Sequence, residues 1–115
     1  MKDWTPIQER YLRDAVPVRL GGLAANLRRI NSFASKETSR DAVASLIEES
    51  KYFIEWTAHD TQLETAAQLV ELQVQLARWQ QKWPTIWLDS IQRQQIAEQS
   101  STWSDRVLNL SGLLK

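Results

Sequence analysis

Apolar residues recur every three to four positions along most of this chain, the period of helices that turn one face inward. Leu12, Val16, Leu20, Leu23, Leu27 and Ile30 cover 18 residues in five steps, or 3.6 per step. Thr5-Pro6-Ile7-Gln8 reads as a capping box with proline at the first helical position, so a first helix is expected to begin there. Pro17 lies within the stripe, where it removes the hydrogen bond to the Arg13 carbonyl at roughly 3 kcal/mol, and Gly21-Gly22 follows one turn later. The phase of the stripe survives the proline. A kink near Pro17, within residues 15–22, is therefore predicted in preference to a loop.

Asn31 to Ser39 loses periodicity and reads as a loop, and Thr38-Ser39-Arg40-Asp41 is a new start signal. Val43, Leu46, Ile47, Phe53, Ile54 and Ala58 share one arc of a second helix, predicted over 39–59. His59-Asp60-Thr61-Gln62 reads as a tight turn, although without Gly or Pro a continuous rod joining helices two and three is the alternative. The third helix, about 62–82, has two apolar faces: Leu63, Ala67, Val70, Val74 and Ala77 on one, Leu69, Leu72, Leu76, Trp79 and Trp83 nearly opposite. Such a helix is either central in its own domain or packs outward on a second copy. Trp83-Pro84-Thr85 ends it. A fourth helix over 85–110 carries Leu88, Ile91, Ile96, Trp103, Val107 and Leu110, is expected to bend at Gln99-Ser100-Ser101-Thr102, and stops at Ser111-Gly112. The pattern predicts an all-α fold: one domain over 1–115, an antiparallel up-down four-helix bundle with its first helix kinked near Pro17.

Composition agrees with this pattern and removes several chemistries. The 115 residues, 13.3 kDa, suffice for one core and contain only three Gly and three Pro. With no cysteine there is neither a disulfide nor a thiolate metal site. The amino terminus has no apolar leader-like run, and no segment approaches the roughly 18 uninterrupted apolar residues of a membrane span. A cytoplasmic protein without membrane association is expected. Fourteen basic and fourteen acidic residues cancel, so nucleic-acid binding is not expected from net charge. Charge is nevertheless segregated: residues 1–36 carry +4, 37–75 carry −6 and 76–115 carry +2. This is expected to set a basic first helix beside acidic second and third helices, or else to offer Arg10, Arg13, Arg28 and Arg29 to an acidic partner.

The most site-like constellation is Glu48, Tyr52, Glu55, His59 and Gln62, which a 4-3-4-3 spacing places on one stripe of the second helix. Glu48, Glu55 and His59 are weak metal candidates that would need carboxylates from another helix, such as Glu64 or Glu71. The stripe also lies opposite the core arc, where solvated residues belong. A di-iron site needs two Glu-x-x-His motifs, and this chain has one histidine at Glu-x-x-x-His spacing. His59 would have to serve any Ser-His-Asp triad, and no serine lies in a G-x-S-x-G context. Phosphate-binding glycine motifs are missing too, and Gly21-Gly22 reads as a close helix contact. No cofactor is expected.

Six tryptophans are an unusual number. Trp79, Trp83 and Trp87 fall at i, i+4 and i+8 around Pro84, where they can plug a bundle end, line a pocket or anchor an interface. Trp56, at the border of the core and polar arcs, is the leading single interface candidate. Three stretches, VRLGGLAANLRRI (18–30), EESKYFIEWTA (48–58) and WSDRVLNLSGLL (103–114), resemble those of small helical proteins of cyanobacteria that have no assigned activity. The resemblance spans nearly the whole chain and implies a cytoplasmic bundle, with no catalytic or binding residue to carry over. The residues themselves favour a non-enzymatic protein–protein interaction module, a homodimer with a further unidentified protein partner. The alternatives are a small-molecule or pigment binder with a Trp-lined cavity, and thirdly a metal-dependent enzyme on the Glu48/Glu55/His59 face.

Overall fold

The computed structural model describes residues 2–113, so the last residue of the 103–114 stretch and both ends of the 1–115 domain lie outside it. The protein is all-helical, 86% helix, with no strand among the described residues. Four long helices, α2 (Val16–Phe33), α3 (Arg40–Thr57), α4 (Leu63–Gln81) and α6 (Ser90–Ser111), are joined by two short ones, α1 (Thr5–Leu12) and α5 (Trp83–Trp87). Short 3-10 turns at Glu37–Ser39 and Ala58–Asp60 precede and follow α3.

Six helices among the described residues correct the expectation of four: one extra helix comes from a break before Pro17, the other from a break at Leu88-Asp89. Pro17 does not kink a continuous helix. The chain leaves the helix after Leu12, Ala15 is extended (φ −64°, ψ 155°), and Pro17 lies in the first turn of α2, where its missing N–H costs no hydrogen bond. Arg19 N–H then opens the new ladder on the Ala15 carbonyl. The break re-aims α1, so Tyr11 is buried and Leu12, expected in the core, faces out. At the start of α1 the N-cap position is Trp4, without a side-chain cap, and Asp3 before it accepts from the Thr5 N–H at 3.0 Å. Pro84 likewise opens α5. The fourth predicted helix then breaks again at Leu88-Asp89, because Asp89 accepts from the Ile91 N–H at 2.9 Å and starts α6 as its N-cap.

The core is continuous: Leu20, Leu23, Leu27 and Ile30 of α2 meet Val43, Ile47 and Ile54 of α3, Leu69, Leu72 and Leu76 of α4, and Ile96 and Val107 of α6. Helix α2 packs most extensively along α6, then along α3, which in turn carries α4. The α2/α6 approach is close because both sides are small. Ser100, Ser104 and Ser111 of α6 are buried, Ser104 Oγ donates to the Ala24 carbonyl at 2.8 Å, and a Cβ built on Gly21 would meet Leu113 Cδ1 at 2.9 Å. The polar Gln99–Thr102 stretch does not interrupt α6. It contributes a buried serine to a helix that runs unbroken to Gly112, whose left-handed conformation (φ 77°) ends it. The second and third predicted helices are separate, as the turn reading required, with Thr61-Gln62 between them.

Candidate functional site

The aromatic residues are mostly interior. Trp56 is corrected from an interface candidate to a core residue: it is 8% exposed and enclosed by Trp4, Tyr11, Tyr52 and Phe53, with ring centroids 5.5–6.3 Å away. Its burial follows from α1, which the break before Pro17 folds across α3. Tyr11 stacks on Phe53 at 3.9 Å and donates its hydroxyl to the Arg19 carbonyl at 2.6 Å. Trp79 and Trp87 are buried too, and Trp87 Nε1 donates to the Glu37 carbonyl at 3.0 Å. This bond ties the α5 junction to the turn before α3. Trp83, half-buried, lies 5.2 Å from Trp87. Clefts at Trp79, Trp83 and Trp103 are each lined by a single tryptophan.

The Glu48/Tyr52/Glu55 stripe borders an open cleft of about 240 Å³ shared with Lys51 of α3 and Gln73 and Gln80 of α4. Its floor is already bonded within the chain: Lys51 Nζ donates to Gln80 Oε1 at 2.6 Å, and Gln73 Nε2 to the Lys51 carbonyl at 3.3 Å. His59, in the 3-10 turn after α3, is exposed and meets Asp60 at 3.5 Å instead of Glu55. Among the described residues no group of three His, Asp or Glu side chains is placed to hold a metal, and Glu48, Glu55 and His59 are not brought together as one.

The basic face of α2 is largely engaged by its own fold. Arg28 forms an ion pair with Asp105 of α6 at 2.7 Å and donates to Ser101 at 2.9 Å, so its partner is α6 and not the acidic α3. Arg29 donates to the buried Asn26, which donates to Glu49 of α3. Arg19 reaches Asp60 at 2.9 Å, and this hydrogen bond holds the Asp60 carboxyl below its ordinary range. Arg10 and Arg13 remain exposed.

Helix α4 carries the arrangement with functional potential. Leu69, Leu72, Leu76 and Trp79 fill the core from its inner face. On its outer face Leu63 is 84% exposed, Val70 49% and Val74 45%, with Ala67 exposed between them. These residues fall at i, i+4, i+7 and i+11, a heptad seam that lies outside the core cluster. The two flanks of the seam differ. On the α3 side Gln73 and Gln80 are spent on Lys51. On the α6 side Glu64, Glu71 and Arg78 recur every seven residues, all exposed, and make no ion pair among the described residues. Glu71, Val74 and Arg78 also border a cleft of about 480 Å³ that reaches Trp103 and Arg106 of α6. Leu88 and Ile91, expected in the core, form a separate exposed pair beside the Asp89 cap, 84% and 68% exposed. No protein-family model, curated protein or solved structure matches the chain.

Proposed function

We propose that this chain is a non-enzymatic protein–protein interaction module that works as a homodimer, with the outer face of α4 as its contact. The observation that carries this reading is the exposed seam of Leu63, Ala67, Val70 and Val74 on a helix whose other face is wholly buried. Solvated apolar residues scattered singly need no explanation, but a heptad-spaced row along one helix is the form in which helices recognise helices. The short links between the long helices support reading α2, α3, α4 and α6 as an up-down bundle.

The test is native mass spectrometry and sedimentation equilibrium on the wild type and on the double variant Val70→Lys, Val74→Lys. The expected result is a dimer that dissociates on dilution, and a variant that stays monomeric while keeping its helicity and melting temperature. A strictly monomeric wild type at tens of micromolar would remove the reading. A second reading, a small-molecule binder, is supported by a groove of about 570 Å³ lined by Tyr11, Val18, Phe53, Leu108 and Leu113 together with the polar Asp14, Asn26, Arg29 and Glu49. A stoichiometric adduct retained in the same mass spectrum would favour it.

A further inference from the structure

We infer that the two copies pair through α4 in antiparallel fashion about a two-fold axis at the level of Leu72, with Glu64 of each copy facing Arg78 of the other. This inference rests on the homodimer reading and specifies its partner surface and register. A two-fold interface brings the same patch of both copies together, so any charge on it must be complementary to itself. The charged flank of α4 has this property in only one direction. Read along the helix it runs Glu64, Glu71, Arg78; a parallel copy would set this flank on the opposite one, Ala66, Gln73 and Gln80, and leave its charges without a counterpart. An antiparallel copy sets Glu64 on Arg78 and Arg78 on Glu64, leaving one like pair, Glu71 on Glu71, at the axis.

The apolar seam accepts the same register without adjustment. In antiparallel helix pairs each seam residue of one type lies level with the other type on its neighbour, and flanking charges of the same heptad position face each other. Bringing Glu64 level with Arg78 then puts Val70 on Val74 and Ala67 on Ala77 of the second copy. Two valine layers form the centre, and alanine layers on either side let the helices approach closely. Leu63 covers each end, above Gln81. The seam from Leu63 to Ala77 spans about 21 Å at about 1.5 Å per residue. On α4 itself the opposite flank is uncharged: Gln73 and Gln80 are bonded to Lys51 in their own chain.

The absence of cysteine makes the register directly readable by cross-linking. Ala67→Cys and Ala77→Cys variants are prepared separately, mixed and air-oxidised, since a disulfide forms only where Cα atoms approach within about 7 Å. The expected result is a covalent dimer from the mixture and little from either variant alone. Covalent dimers from each variant alone would mean parallel pairing. A wild type that dimerises while none of these samples cross-links would place the contact on another surface, and either outcome overturns the inference while leaving a dimeric module standing. A monomeric wild type removes both.

Charge reversal supplies a second readout that does not depend on cysteine chemistry. Glu64→Lys and Arg78→Glu are each expected to weaken association by about tenfold, and the double variant to recover most of it. Glu71→Gln is expected to tighten the dimer severalfold, because it removes the like pair at the axis. Loss in the double variant equal to the sum of the single losses would overturn the pairing of Glu64 with Arg78.

Discussion

The two faces of α4 are nearly the same in amino-acid type and opposite in fate. Leu69, Leu72 and Leu76 on one side have no exposed surface, while Leu63, Val70 and Val74 on the other are about half exposed or more. The inner face meets α3 and the core, whereas the outer-face residues lie outside that core. Apolar periodicity alone therefore tells that a helix has something to bury, and only the assembly of the other helices tells whether the chain buries it. The difference also separates two free energies: the inner face contributes to folding, the outer face to association.

The largest effect that can break this comparison is a truncation on the inner face. Leu72→Ala leaves a cavity against fully buried neighbours and is expected to cost about 2–5 kcal/mol of folding stability. Val70→Ala, one helical step away in type but on the outer face, is expected to change monomer stability by less than about 0.5 kcal/mol. Urea unfolding of both, at concentrations where the protein is monomeric, checks the pair. Similar losses at the two positions would mean that the outer face is covered within the chain.

A second probe acts on the interior through pH. Burial pushes the Tyr11 phenol up to about 12 from its ordinary value near 10, since the phenolate would have to form against Phe53 and Trp56. The folded pKa is raised, so the stabilisation is fully present below about pH 10 and is lost as the pH rises towards 12, amounting to roughly 3 kcal/mol in all. Tyr11→Phe is expected to flatten the alkaline fall in stability and to cost about 1 kcal/mol at neutral pH, through the hydrogen bond to the Arg19 carbonyl. Unfolding midpoints at pH 8, 10 and about 11.5 measure it; an equal alkaline fall in both proteins would show that Tyr11 is not its source.

The long helices were legible because their stripes are long: the run from Leu20 to Ile30, the Val43–Ile54 arc and the Leu69–Trp79 face all lie in the core. The exposed face of α4 was legible as an apolar stripe but not as a surface. What the stripes concealed were the breaks. Continuity of phase across Pro17 suggested a kink, yet Leu12, the one stripe residue before the break, faces out, and with α1 turned over α3 Trp56 became interior. The α2/α6 contact was hidden by chemistry, because Ser100, Ser104 and Ser111 read as polar although their small size is what lets the two helices close. For the start of α6 a signal was present: Asp89 stands two residues before a helical Ile91 whose N–H it caps. Counting Leu88 and Ile91 into one stripe with Ile96 overrode it.

That cap supplies the smallest effect, and it sharpens the comparison by offering a second exposed apolar patch of different origin. Leu88 and Ile91 face solvent because the helix restarts between them, and not because a helix face lacks a neighbour. Asp89 accepts hydrogen bonds from the Ile91 N–H and the Gln92 side chain, and these, the Gln92 bond foremost, hold its carboxyl below its ordinary range. Asp89→Ala is expected to lower stability by about 1 kcal/mol, or roughly 4 °C in melting temperature, as loss of an N-cap does. Asp89→Asn, which retains an accepting oxygen, is expected to recover most of it. Neither change touches the α4 seam, so the dimer dissociation constant should stay the same in both. A dimer weakened by Asp89→Ala as much as by Val70→Lys would move the contact from α4 to the Leu88/Ile91 junction, and with it the origin of the association energy from an uncovered helix face to a helix start.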